Sequence, residues 1–242
     1  MAAVAVRAAK DATGGELFDA LQLPVPKGSV VVIGSTAAMA PEVRRRIEAV
    51  IARGLSTVVS EGSLMVVSGG TDAGIFALVG TALDGHGAPV VGVAPASLVT
   101  WPGRDDEGDD PLALAPLESH HSHFVLVEGE EWGDETPALV ELSKALAERG
   151  PTVAVLFGGG PIARGEVLAQ VAAGVPLVVV GGSGRLANVL ADAAEDPDGC
   201  PDPDLPDLPG LAADGRVTIF PATGGPPEFA ALLRRLLGAP AA

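Results

Sequence analysis

The chain of 242 residues contains one cysteine, no tyrosine and only 3% aromatic residues. The single cysteine, Cys200, excludes an intrachain disulfide bond and a metal site built from several cysteines. Hydrophobic residues nevertheless make up 48% of the chain, so we expect a sizeable core of small aliphatic side chains. Such a core is typical of a buried parallel sheet that is covered by helices.

Basic residues are also scarce, with 15 Lys and Arg against 31 Asp and Glu and a net charge of −16. An acidic surface repels nucleic acids and anionic lipids, so we predict neither a nucleic acid polymer nor a membrane as a partner. The sequence shows no apolar run long enough to span a bilayer and no signal peptide, so we expect a cytoplasmic protein. A small phosphorylated ligand remains compatible with this charge, because backbone N–H groups bind anions locally.

Short apolar runs alternate with helical patterns along the chain, after an N-terminal tail at residues 1–27. The runs predict about seven strands, at residues 29–33, 64–67, 89–93, 124–127, 153–157, 177–180 and 217–220. Strands that alternate with helices predict a parallel sheet with right-handed crossovers and helices on both faces. We therefore predict an α/β fold with an open, doubly wound sheet, as a single domain over residues 28–242. The Pro- and Asp-rich segment at 195–215 is interpreted as a surface loop.

Four of the predicted strands end in turns of small residues. In a parallel sheet such turns meet at one edge, where glycine allows close approach and the next helix directs free N–H groups outward. Together they suit phosphate or ribose oxygens, although each turn alone is equally well explained as a tight connection. The turns are Gly34-Ser35-Thr36, Gly69-Gly70-Thr71, Gly158-Gly159-Gly160 and Gly181-Gly182-Ser183-Gly184.

Polar side chains beside these turns carry more specific expectations. Asp72 and Thr71 are equally suitable caps for the following helix, and Asp72 could instead contact a ribose. We favour Asp72 as the cap, which leaves Thr71 to face a ligand. Arg185 stands in the first turn of a helix, where it opposes the helix dipole and calls for an anion, either a bound phosphate or a carboxylate of the protein. Asn188, one turn later, lies on the same side and could contact a base or ribose.

Histidines cluster at His120, His121 and His123, just before a predicted strand. Beyond Glu118 the sequence offers no further ligand nearby, so we predict no metal and no cofactor. We expect His123 to form a hydrogen bond within the cleft and the other two to be solvated. Glu166 is either a catalytic acid near a ribose or an ordinary carboxylate in the first turn of a helix.

Several of these segments resemble a known family. The pieces "VVSGGTDAGIFALVG", "SHHSHFVLVEG", "VLFGGGP" and "PLVVVGGSGRLANVLAD", in this order, resemble the SLOG superfamily, and most of all its LSDAT group. That group occurs at the N-terminus of TRPM-type ion channels and in stand-alone bacterial proteins. The resemblance implies a Rossmann-like domain that senses a nucleotide-type ligand, such as ADP-ribose. The residues to which it assigns ligand binding are Gly69, Gly70, Thr71, Gly74, His123, Gly159, Gly160, Gly182, Ser183, Gly184 and Arg185.

A second branch of the superfamily, the LOG-type phosphoribohydrolases, releases a base from a nucleoside monophosphate. Its motif is P-G-G-x-G-T-x-x-E, and Gly159, Gly160 and Glu166 fall at matching offsets. Phe157 and the extra Gly158 stand before these glycines, however, and Ile162-Ala163 replace Gly-Thr. We therefore predict a nucleotide-binding sensor, with N-glycoside hydrolysis as the alternative, and expect a homodimer or a higher homo-oligomer.

Overall fold

The structure is a computed structural model that describes residues 3–34, 39–102, 104, 114–196 and 207–238. Within these ranges eight parallel strands form one sheet, and two short strands form a second. The strands are β1 (Val4–Ala8), β2 (Gly28–Gly34), β3 (Leu64–Ser68), β4 (Val90–Pro95), β5 (Val99–Thr100), β6 (Ala115–Pro116), β7 (His123–Val127), β8 (Thr152–Phe157), β9 (Leu177–Val180) and β10 (Val217–Phe220). The short pair is β5 and β6.

The order of the large sheet is β1-β7-β4-β3-β2-β8-β9-β10. From β2 the chain adds β3, β4 and β7 on one side, and then returns to add β8, β9 and β10 on the other. The direction of winding therefore reverses between β2 and β8, which is the topological switch point where such sheets bind ligands. The prediction of a doubly wound, Rossmann-like α/β fold is confirmed.

Helices cover both faces of the sheet. They are α1 (Gly14–Leu21), α2 (Pro41–Val50), α3 (Ser56–Glu61), α4 (Gly74–Leu83), α5 (Thr136–Arg149), α6 (Pro161–Ala172), α7 (Arg185–Glu195), α8 (Leu208–Ala212) and α9 (Pro226–Leu236). Side chains of β2 alternate between two cores, because successive residues of a strand face opposite ways. Val31 and Ile33 join the core under α1, α5 and α6, whereas Val30 and Val32 join the core under α2, α4 and α9.

The N-terminal segment differs from its prediction as a tail. Strand β1 pairs in register with β7, from Val4 opposite His123 to Ala8 opposite Val127. Helix α1 begins with a capping box between Thr13 and Glu16, and its buried Leu17 reaches the core. The five residues of β1 and the eight of α1 are too short to show a clear hydrophobic period in the sequence.

The segment predicted as a loop at 195–215 also differs in part. Helix α8 lies within it, and its Leu208 and Leu211 are buried in the core beside α7. Residues 197–206 of that segment lie outside the described part of the chain. A helix of five residues that contains both proline and glycine carries little signal of its own, and its burial depends on tertiary contacts.

No helix in the described ranges combines the length and the apolar composition that crossing a bilayer requires.

Candidate functional site

The four predicted turns follow strands that are neighbours in the sheet, in the order β3-β2-β8-β9. Because these strands are parallel, their carboxyl ends lie at one edge, as predicted. Ser35 and Thr36 lie outside the described residues.

A cavity of about 450 Å³ lies at the carboxyl ends of β2, β3 and β8, next to the switch point. Four sources form its walls: the turns after these strands, the loop after β7, strand β6, and the first turns of α4 and α6 together with the second turn of α6. The lining residues are Gly34, Gly69, Thr71, Ala73, Phe76, Ala115, Trp132, Glu135, Gly160, Pro161, Ile162, Ala163 and Glu166. The cavity is therefore mostly apolar with a few polar groups, as is usual for small-molecule sites.

Thr71 occupies the most informative position in this lining. Its side chain is 3% exposed, and none of the described residues forms a hydrogen bond with its Oγ1 atom. A buried hydroxyl without a partner loses the free energy of a hydrogen bond, so such a group calls for an explanation, and a ligand oxygen would supply one.

The backbone around Thr71 fixes this residue at the wall of the cavity. Gly70 has a φ of 72°, and a Cβ atom there would lie 2.6 Å from the Cα atom of Gly92, so only glycine fits. Helix α4 begins after Ala73, and within the described chain no side chain caps it. The interpretation of Asp72 as the cap of α4 is therefore wrong. Thr71 does not cap this helix either, so its side chain is not engaged by the end of the helix.

Helix α6 directs its N-terminus at the cavity. Its N-cap is Gly160, Pro161 takes the first helical position, and no side chain from the described ranges caps this end. The unpaired N–H groups and the helix dipole make this end attractive to an anion. The Nη2 atom of Arg185 lies 3.7 Å from the point that a Cβ atom on Gly160 would occupy, so a guanidinium group adds positive charge beside it.

The turn after β9 serves a structural role that the sequence did not indicate. The buried hydroxyl of Ser183 accepts a hydrogen bond from the Gly158 N–H at 2.9 Å and donates one to the Val180 carbonyl. The side-chain oxygen of Asn188 accepts a hydrogen bond from the Gly184 N–H at 2.9 Å, which ties it to the start of its own helix. This turn therefore supports the turn after β8 and does not line the cavity.

His123 lies far from the cavity. It is the first residue of β7 and pairs with Val4 and Val91. The cavity lies at the carboxyl ends of its strands, whereas His123 stands at the amino end of β7, two strands away from β3 and so about 10 Å across the sheet. The half-buried ring forms a hydrogen bond with the Ser122 hydroxyl at 2.9 Å, and burial lowers the pKa of His123.

The cavity thus brings together only part of the predicted site. The predicted residues that line it are Gly34, Gly69, Thr71, Gly160 and Glu166. Those absent from its lining, within the described ranges, are Gly70, Gly74, His123, Gly159, Gly182, Ser183, Gly184, Arg185 and Asn188.

Two buried carboxyl groups face the cavity together. Glu166 on α6 is 8% exposed and Glu135, just before α5, is 7% exposed. Burial and then the charge of Glu135 raise the pKa of Glu166 to about 8. Burial also raises the pKa of Glu135, against a hydrogen bond at 2.7 Å from the Gly133 N–H. Glu166 is therefore protonated at neutral pH and can donate a proton or a hydrogen bond.

Glu135 escaped the sequence analysis. It stands among many acidic residues in the segment "EGEEWGDE", and no spacing separates it from the others. Its neighbour Trp132, which forms an apolar wall of the same cavity, is the one signal that could have marked this loop.

A second buried polar cluster lies beside the Thr71 turn. The Nε2 atom of His121 is 2.7 Å from the Ser68 hydroxyl, and its Nδ1 atom is 2.7 Å from Oε2 of Glu118. Because a carboxylate only accepts, Nδ1 carries a hydrogen and donates it to Glu118, while Nε2 is hydrogen-bonded to the Ser68 hydroxyl. The Ser68 oxygen in turn accepts a hydrogen bond from the Gly70 N–H at 3.2 Å.

This cluster has the connectivity of a Ser-His-Glu triad, but its residues are 0%, 2% and 2% exposed. Glu118 packs so closely on α4 that a Cβ atom on Gly80 would lie 1.8 Å from its carboxylate. A nucleophile must reach its substrate, so a sealed triad cannot act in this state. The cluster instead holds the Gly69–Thr71 turn, and the prediction that His121 is solvated is wrong.

The exposed ring of His120 also contacts Glu118, through its Nδ1 atom, and the hydrogen bond to Glu118 raises the pKa of His120. Burial acts to raise the pKa of Glu118, but the hydrogen bonds from His121 and His120 outweigh it and hold this pKa below its usual value. Glu118 is therefore ionised and satisfied.

Proteins with similar sequences include long cation channels. The chain is 27% identical over 229 residues to the transient receptor potential cation channel subfamily M member 2 of Mus musculus, covering 78% of this chain and 15% of that protein. It is 29% identical over 220 residues to subfamily M member 7 of Homo sapiens, covering 77% of this chain and 12% of that protein. The chain thus spans about an eighth of the length of the relatives it matches.

A family comparison gives a broader assignment. The model of the prokaryotic LSDAT family, described as SLOG in TRPM, matches residues 27–231. This match covers most of the chain, from the start of β2 through most of α9. The protein therefore belongs to the prokaryotic LSDAT family of SLOG domains.

Proposed function

We propose that the chain is a nucleotide-binding sensor domain whose ligand is ADP-ribose or a related nucleotide-derived signal. The main support is Thr71, which lines the cavity and whose buried hydroxyl has no hydrogen-bond partner among the described residues. The N-terminus of α6 offers N–H groups to a phosphate in the same cavity. Arg185 beside Gly160 adds the charge that a pyrophosphate requires.

A thermal-shift experiment tests this proposal. ADP-ribose should raise the melting temperature of the wild-type protein, because a ligand that binds only the folded state stabilises it. Arg185→Ala should abolish the rise, whereas Arg235→Ala, which removes an exposed guanidinium from α9, should keep it. A full shift in Arg185→Ala would rule out this phosphate position, and no shift with any nucleotide would reject nucleotide binding.

Thr71 allows a finer test with two matched variants. Thr71→Val keeps the shape but removes the hydroxyl, and it should weaken ADP-ribose binding by roughly tenfold, the equivalent of one hydrogen bond. Thr71→Ser keeps the hydroxyl and should bind within about threefold of the wild type. Equal affinities for the valine and serine variants would show that the hydroxyl does not contact the ligand.

A second candidate function is hydrolysis of an N-glycosidic bond, which the paired carboxyl groups favour. Protonated Glu166 would give its proton to the departing base as the C1′–N bond breaks with its electron pair moving to nitrogen. Water would add at C1′ and lose its proton to Glu135, which would act in its carboxylate form, in the way that paired carboxyl groups serve glycosidases. The products are the free base and the ribose derivative.

Chromatographic detection of free base after incubation with AMP or NAD tests this activity. Glu166→Gln should abolish base release, while Glu148→Gln, an exposed change on α5, should leave it unchanged. Complete absence of base release from the wild type would exclude hydrolysis of these substrates and leave the sensor function standing.

A further inference from the structure

The cavity contains two kinds of polar group with opposite requirements. The N-terminus of α6 and the Thr71 hydroxyl donate hydrogen bonds and favour an oxyanion. Glu135 and Glu166 are carboxyl groups and favour a group that donates hydrogen bonds. Glu166 lies six residues beyond Gly160, about 9 Å along the helix axis, so the two requirements fall at separate places.

A phosphate does not suit the carboxyl end. The charge of Glu135 already opposes ionisation of Glu166, and a phosphate would add further negative charge in a buried space. Hydroxyl groups avoid this repulsion, and a vicinal diol presents two donors to one carboxylate. The apolar side chains of Trp132 and Ile162 line the same cavity, where a sugar ring or base can pack.

We propose that Glu135 and Glu166 bind the vicinal diol of a ribosyl group, and that its phosphate points to Thr71 and the N-terminus of α6. The proposal rests on the nucleotide-binding function and names the part of the ligand that each end of the cavity recognises. It makes Glu135 a residue that determines specificity for ribose over deoxyribose.

If the carboxyl groups bind a diol, ligand binding should release a proton from the protein. A diol that donates hydrogen bonds stabilises the ionised form of a carboxyl group and lowers its pKa. The raised pKa values of Glu135 and Glu166 in the free protein therefore fall on binding, and a proton leaves to the buffer. A ligand that contacts only the phosphate end leaves both carboxyl groups as they were.

Isothermal titration calorimetry with AMP, 2′-deoxy-AMP and 3′-deoxy-AMP tests the proposal on the wild-type protein. Each deoxy analogue lacks one donor of the diol and should bind about tenfold more weakly than AMP, since a hydrogen bond to a charged group is lost. Titrations in two buffers of different ionisation enthalpy should show proton release near neutral pH with AMP and less with either analogue.

Variants in the loop after β7 test whether Glu135 causes the preference for AMP over its deoxy analogues. Glu135→Gln should bring AMP and the two analogues within about threefold of each other, because an amide replaces the accepting carboxylate. Glu130→Gln removes an exposed carboxylate from the same loop and should keep the preference for AMP. A preference for AMP that survives in Glu135→Gln would exclude Glu135 from diol recognition.

The outcomes separate this inference from the proposed function. If AMP and both analogues bind wild-type protein equally, or if AMP fails to bind while ADP-ribose binds, the diol assignment falls and nucleotide binding stands. If neither AMP nor ADP-ribose binds, the proposed function falls and the inference falls with it. The wild-type comparison needs no variant, so a misfolded Glu135→Gln does not prevent the test.

Discussion

Glu118 and Glu166 are both buried glutamates at the same edge of the sheet, yet their chemistry is opposite. Hydrogen bonds from two histidines hold the pKa of Glu118 below its usual value despite burial, whereas burial and the nearby Glu135 raise the pKa of Glu166 to about 8. Glu118 packs against Gly80 without space between them, and Glu166 lines a cavity of about 450 Å³.

This difference distinguishes a supporting cluster from a ligand site. A buried polar group that has its partners within the protein stabilises one local structure and needs nothing further. A buried polar group without partners destabilises the folded state unless something binds it. The Ser68–His121–Glu118 cluster is of the first kind, and the Thr71 hydroxyl is of the second. Glu135 and Glu166 face the cavity, and burial raises the pKa of each.

The largest expected effect on stability comes from replacing Glu166 with a residue that does not ionise. Its pKa rises from 4.5 to about 8 on folding, so the folded state loses stability as the pH rises across this range, because only the unfolded chain ionises there. The free energy of unfolding of Glu166→Gln should therefore exceed that of the wild type by an amount that grows with pH, to on the order of 4 kcal/mol. Urea unfolding between about pH 5 and about pH 8 measures this difference.

Glu148→Gln is the matched control, because it removes an exposed carboxylate from α5 and should shift stability by less than about 0.5 kcal/mol at every pH. Parallel pH profiles for the wild type and Glu166→Gln would show that Glu166 is not held in its protonated form.

Disrupting the Ser68–His121–Glu118 cluster should change the free energy of unfolding somewhat less than the replacement of Glu166 does. His121→Ala leaves the buried Glu118 carboxylate and the Ser68 hydroxyl without a shared partner, and the protein should lose about 3 kcal/mol of unfolding free energy. His86→Ala, in an exposed turn, is the control and should change stability by less than about 0.5 kcal/mol. Denaturant unfolding at neutral pH compares them, and a loss below about 1 kcal/mol in His121→Ala would contradict the role of the cluster.

Ser68→Ala tests whether the Ser68–His121–Glu118 cluster supports ligand binding in the cavity. The change removes the acceptor of the Gly70 N–H and should cost about 1–2 kcal/mol of stability. It should also weaken ADP-ribose binding, because Thr71 follows the released turn. Ser60→Ala on α3 is the matched exposed change. Equal ligand affinities for the two variants would show that the Ser68–His121–Glu118 cluster does not influence binding in the cavity.

The smallest effect is expected at His120, whose ring is exposed. Its pKa is raised by the hydrogen bond to Glu118, so its stabilising contribution is complete below about pH 6.5 and disappears as the pH rises through the raised value. His120→Ala should therefore destabilise by less than about 1 kcal/mol, and only at the acidic end. Denaturant unfolding on both sides of that value detects this, and an equal loss at all pH values would contradict it.

The sequence by itself determined the architecture and the edge at which the cavity lies. Apolar runs alternating with helical periods specify a parallel sheet, and parallel strands place the turns at Gly34, Gly69, Gly158 and Gly181 on one side of it. The motif order also identified the family. Each of these features lies within a short segment of the chain, so composition and residue spacing are enough to predict it.

The tertiary structure alone decided which polar groups meet. Ser68 and His121 are 53 residues apart, and Glu135 and Glu166 come from a loop and from helix α6. Their contacts therefore depend on strand order and register, which hydrophobic periodicity does not encode. The same register separates His123 from the cavity, and a local hydrogen bond engages Asn188 with Gly184. Composition specifies what can be buried, whereas only the packed fold determines which buried groups find partners.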